Sequence, residues 1–135
     1  VKRILERRGH TVYVDWIDDP QLDRSRVSAS TADVLRRRMR ASASFVFATS
    51  QNSPNSKWMP WELGYFDGLH GDKIAVFPLV TGASDMFRGQ EYLALYPTME
   101  RLDSTTSPVV LHRTDRRLAT LASFASIGRT EFSTF

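Results

Sequence analysis

The chain has 135 residues, 41% of them apolar and 24% charged, with a formal net charge of +3 and no cysteine. That length fits one domain, residues 1–135, built on a single core, and the composition is that of an ordinary globular protein. The lack of cysteine excludes disulfides and thiolate chemistry and fits a reducing cytosol, and no apolar run nears the roughly 18 residues of a membrane span.

The positive charge is concentrated in "KRILERR" (Lys2 to Arg8) and "RRRMR" (Arg36 to Arg40). In both stretches the basic residues interleave with apolar ones at helical spacing, the pattern of a solvated helix face. No aromatic-basic RNA motif accompanies them, so neither nucleic acid nor a membrane is an expected partner.

Val1, Ile4 and Leu5 predict a first helix, with Gly9 as its stop. "TVYVD" (Thr11 to Asp15) is β-branched and aromatic and predicts a short strand. "WIDDPQLDRSRVSAST" follows as a polar loop, longer than a turn. Its Ile17 to Ser30 portion has little that could anchor it in a core, and is expected to be exposed, mobile and a contact surface. Ser30 or Thr31 is placed to cap a helix over Ala32 to Ser42, with Leu35 and Met39 on one face. "FVFAT" (Phe45 to Thr49) and "KIAVFPLV" (Lys73 to Val80) are nearly continuous apolar runs, as parallel strands covered on both faces should be.

Between those runs, Ser56 is a good cap and Pro60 is tolerated only in a first turn, which predicts a helix from the stretch "SKWMPWELGYFDG". Gly82 to Ser107 reads as irregular, with an aromatic-rich patch "EYLALYP". "PVVLH" (Pro108 to His112) is a candidate last strand, and Asp115 a candidate cap for a helix carrying Leu118, Leu121, Ala122 and Ala125. Alternating strands and helices predict an α/β fold of flavodoxin-like type, a parallel sheet flanked by helices. The chain opens on a helix. A central first strand is therefore expected upstream of Val1, with "RTEFSTF" as the alternative source of a strand.

Glu62 is a single carboxylate among Trp58, Trp61 and Tyr65. Near a helix start the dipole favours its ionised form. Gly64 and Gly68 weaken the same helix, which is easier to understand if something approaches its backbone closely. From the residues alone two readings stay open: a helix-capping acid beside core tryptophans, or a reactive carboxylate in an aromatic cleft. His10, His70 and His112 are scattered and read as structural or surface residues, so no metal site is expected.

From "VYVDW" through "KIAVFPL" the chain resembles the Toll/interleukin-1 receptor (TIR) domain family, its bacterial members above all. Trp58-Met-Pro-Trp-Glu62 has the W-x-x-x-E spacing of TIR domains that cleave NAD. "TSQNSPNSKW" is similar to the family's loop before its third helix, and "VDWIDD" with the polar stretch after it to the second strand and BB loop. The resemblance covers about Val1 to Val80. It implies cleavage of the nicotinamide–ribose bond, by hydrolysis or by cyclisation of the ADP-ribose part, commonly in bacterial antiviral signalling. Glu62 is then the catalytic carboxylate and Trp58, Asp15, Trp16, Ser53 and Ser56 contact substrate, with Asp15 and Trp16 at the sheet's C-terminal edge. NAD is the substrate and no cofactor is needed. Self-association through Ile17 to Ser30 and a separate effector protein are the implied partners. A non-catalytic interaction module and a nucleoside deoxyribosyltransferase-like enzyme are the rival readings.

Overall fold

A computed structural model describes residues 1–50, 55–79, 90–100, 109–111 and 118–125. The chain divides into two units, Val1–Ser42 and Ala43–Phe135.

In the first unit, helix α1 (Lys2–Arg7) ends where the sequence places its stop. Gly9 takes a φ of 85°, a left-handed conformation that suits a residue without a Cβ. Its N–H donates to the carbonyl of Glu6 and that of His10 to the carbonyl of Leu5, the paired bonds of a Schellman stop. The expected strand at Thr11–Asp15 is not one. Val14 is extended, but no strand pairs with it among the described residues, and Asp15–Asp18 forms a single helical turn, α2. The Val14 carbonyl accepts from Ile17 and Asp18, and its N–H donates to the Asp18 carboxylate. β-branched residues favour extended backbone, but a strand exists only where a ladder partner does.

Helix α3 (Ala29–Arg40) starts three residues earlier than expected, and its cap is Ser28, not Ser30 or Thr31. The Ser28 hydroxyl accepts from the Thr31 N–H, leaving Thr31 buried inside the first turn, where its own hydroxyl donates to the Asp23 carbonyl. Ala32, Leu35 and Met39 form the buried face.

The second unit holds a five-stranded sheet of order β1-β2-β3-β4-β5: Phe45–Thr49, Ile74–Pro78, Thr98–Glu100, Val109–Leu111 and Leu118–Thr120. β1 and β2 are parallel in register Phe45↔Ile74 to Thr49↔Pro78, and β2 and β3 are parallel at Val76↔Thr98. β4 and β5 continue the sheet antiparallel. The fold is thus α/β with a parallel three-stranded part, as the apolar runs indicate, plus an antiparallel flank they do not. Ile74, Ala75 and Val76 are wholly buried, as a strand paired on both sides and covered on both faces requires.

Two stretches depart from expectation. Part of the supposedly irregular region is ordered: Glu91–Leu95 is a 3-10 helix that buries Leu93 and leads into β3. The last helix, α5 (Leu121–Ala125), begins after Leu118, which belongs to β5. Asp115, His112 and the "RTEFSTF" segment lie outside the described residues.

Candidate active site

Helix α4 (Met59–His70) leaves the C-terminal edge of the parallel strands and carries Glu62 in its first turn. Pro60 sits at its second position, where the missing N–H is no loss. The Ser56 hydroxyl accepts from the Met59 N–H, so Ser56 acts as a cap from just outside the helix. Trp58 is the last residue before the helix, and its carbonyl accepts the Glu62 N–H at 2.8 Å. This bond fixes the four-residue offset between the indole and the carboxylate.

Trp58, Trp61 and Tyr65 form a chain of rings along α4. The two indoles meet edge to face at 5.5 Å, and Trp61 stacks on Tyr65 at 5.7 Å. Trp58 is 3% exposed, so its ring packs within this unit. Trp61, Tyr65 and Glu62 are half-buried. Phe66, one turn past Glu62, is wholly buried and stacks on Phe45 of β1 at 5.3 Å, holding α4 to the sheet. His70 meets the Phe66 ring edge-on, one turn further. Glu62 is therefore mounted on a helix start pinned by apolar packing, with aromatic rings beside it. Such a carboxylate can stabilise developing positive charge or bind hydroxyls.

Gly64 and Gly68 have open space where a Cβ would stand. Among the described residues nothing approaches them, so the space is open to something from outside the chain.

Asp15 and Trp16 belong to the first unit and are placed differently from expectation. They begin the helical turn α2 and do not end a strand. Asp15 is buried and ion-paired with Arg24, whereas Trp16 is 70% exposed. Ser53 lies outside the described residues.

The loop Ile17 to Ser30 is largely exposed but better anchored than its composition suggests. Asp19 is buried, accepting from Arg38 Nε and Nη2 at 3.1 Å each and from the Tyr13 hydroxyl at 2.8 Å. Hydrogen bonding from Arg38, then from Tyr13, holds the Asp19 carboxyl below its usual range. Burial, and then Asp19, push the Tyr13 phenol up, so it stays a donor. The Arg38 guanidinium also lies 4.8 Å over the Tyr13 ring. The Lys2 ammonium bonds both oxygens of Asp18 at 2.6 and 2.7 Å, tying α1 to the turn. Sequence reasoning missed these latches. Asp19 and Arg38 are 19 residues apart, and nothing local marks them as a pair.

A cavity of about 800 Å³ runs between this loop and α3, past Leu22, Val27, Val34 and Arg37. Its acids, Asp19 and Asp23, are engaged by Arg38 and by Ser25 respectively, so neither offers a group for carboxylate chemistry. Glu62 is the better candidate centre.

No protein-family model matches the chain. It is 46% identical over 121 residues to a Bacillus cereus (strain MSX-D12) protein named "Probable 3' cyclic ADP-D-ribose synthase ThsB'", a match covering 87% of this chain and 62% of that protein. It is 39% identical over 69 residues to a Cytobacillus dafuensis protein provisionally named cyclic ADP-D-ribose synthase TIR2, covering 48% of this chain and 18% of the other. The chain thus spans less than two thirds of the length of either relative. A match over 87% of 135 residues necessarily takes in the middle of the chain, where α4 lies.

Proposed function

We propose that this chain carries the catalytic centre of a bacterial TIR-type enzyme that breaks the nicotinamide–ribose bond of NAD and closes the ADP-ribose part into a ring. The observation that carries the reading is the 46% identity to a protein named as a cyclic ADP-ribose synthase, over a stretch that includes Glu62 on its aromatic helix start.

The chemistry suits the residues. Nicotinamide departs as a neutral base, so the reaction asks for little acid assistance. Positive charge builds on the ribose, as in the oxocarbenium-like states of glycoside cleavage. The Glu62 carboxylate stabilises that charge and bonds ribose hydroxyls. Trp61 and Tyr65 limit water beside the sugar, and the buried Trp58 fixes the wall behind them. Cyclisation needs the acceptor to be a group of the same molecule, so excluding water favours ring closure over hydrolysis. Ser56 and Ser53 precede the helix and are proposed polar contacts.

The cyclic product is a candidate messenger for a separate effector in antiviral defence. The exposed loop Ile17 to Ser30, with the outward apolar side chains of Ile17 and Val27, is the proposed surface for self-association.

The test is incubation of the full-length, assembled protein with NAD, following free nicotinamide and cyclic product by chromatography. Glu62→Gln keeps the shape and removes the charge. It is expected to melt like the unsubstituted protein and to lose about 10²-fold or more in turnover. Wild-type-like cleavage by folded Glu62→Gln overturns the assignment and leaves an interaction module as the better reading. Base exchange between deoxynucleosides points to a transferase.

A further inference from the structure

Among the described residues, the Thr49 hydroxyl is the one buried side-chain polar atom that has no hydrogen-bond partner. Thr49 is 2% exposed and ends β1. Its carbonyl accepts from the Leu79 N–H at 2.8 Å, whereas its side chain is orphaned. Valine has nearly the same shape and no hydroxyl to desolvate, so the fold by itself favours valine at this position. A group that weakens the fold calls for another reason to be there.

Its place in the sheet supplies one. Phe45, Phe47 and Thr49 alternate onto one face of β1, and Phe45 on that face stacks against Phe66 of α4. Thr49 is therefore on the side of the sheet that α4 covers. From Phe45 to Thr49 the strand advances about 13 Å toward its C-terminal edge. From Phe66 back to Met59 the helix covers about 10 Å in the same direction. By these rises Thr49 lies about 3 Å beyond Met59, the first residue of α4, and about 7 Å beyond Glu62 in the same direction. Ligand crevices of parallel α/β sheets open at this edge.

We propose that Thr49 is a substrate-binding residue of the Glu62 site, its hydroxyl taking up its hydrogen bond only when substrate is bound, from a ribose hydroxyl directly or through one water. Hydrogen bonds of an active site commonly tighten only in the substrate complex. The inference rests on the NAD-cleaving reading above. It adds a second polar group on the sheet side of the sugar, opposite the helix that carries the carboxylate.

The experiment compares Thr49→Val and Thr49→Ser with the unsubstituted full-length protein, measuring kcat and KM for nicotinamide release alongside thermal unfolding. Thr49→Val is expected to melt at the same temperature or higher, yet to lose at least tenfold in kcat/KM. Thr49→Ser, which keeps the hydroxyl, should stay within about threefold of wild type in kcat/KM, a loss under the tenfold step of 1.4 kcal/mol. A Thr49→Val protein that cleaves NAD within twofold of wild type overturns this proposal alone. So does a lowered melting temperature, which means the hydroxyl is paired within the fold. If the unsubstituted protein releases no nicotinamide, the function reading falls and this proposal falls with it.

Discussion

Asp19 shows how one carboxylate can organise a loop that looks unanchored in sequence. Arg38 and Tyr13 both donate to it, and the pair lowers its affinity for protons. A group whose folded pKa is depressed adds stability that is complete above its unfolded value, about 3.9 for aspartate, and lost as pH falls through the lower folded value. Asp18, held by Lys2 and by the Val14 N–H, shifts in the same direction. The first unit is therefore expected to keep its loop structure from neutral pH down to about 4 and to lose it below. Amide exchange across residues 17–30 during acid titration is the check, and Asp19→Asn should remove much of the pH dependence. A loop whose exchange ignores both pH and that substitution contradicts the latch. Glu62 and the W-x-x-x-E spacing were legible in sequence because they lie within five residues. The Asp19 latch was not, because its members meet only in three dimensions.

At the scale of elements, α4 combines features that local propensity sets against each other. Pro60 and Ser56 mark its start plainly, and Phe66 holds it to β1, whereas Gly64 and Gly68 loosen it. With open space beside Gly64, alanine there is expected to add about 0.5–1 kcal/mol of stability, measured by denaturant unfolding. A destabilised Gly64→Ala protein contradicts the open surroundings. If that variant is stabler but slower on NAD, something in the working enzyme comes close to this helix face. Boundaries followed the chemistry that fixes them. Gly9 stopped α1 as expected, because a left-handed stop needs nothing beyond its own turn. The α3 start was misplaced because Ser28, Ser30 and Thr31 are all competent caps, and the buried Thr31 hydroxyl reaching Asp23 decides among them. Thr11 to Val14 reads as strand by side-chain type, but pairing belongs to the partner and not to the segment.

Across the molecule, β1, β2 and, within "PVVLH", β4 were readable, whereas β3 and β5 were not. β1 and β2 are long apolar runs, whereas β3 and β5 have three residues each, too short for periodicity to register. β2 is paired on both sides and its residues Ile74–Val76 are fully buried, so its amides are expected to exchange slowest of all. Exchange mass spectrometry that finds β5 better protected than β2 contradicts this ordering. The spatial order of the five strands is also their order along the chain. Among the described strands, each one after β1 finds its sheet neighbour already made during synthesis, and none waits for a later segment to be inserted between existing pairs. Domains generally fold as they are translated, N-terminal parts first, and pairings close in sequence form fastest. This half of the protein can therefore assemble outward from β1 at the ribosome, one strand at a time, and the first strand pair to close is the one that the Glu62 helix joins.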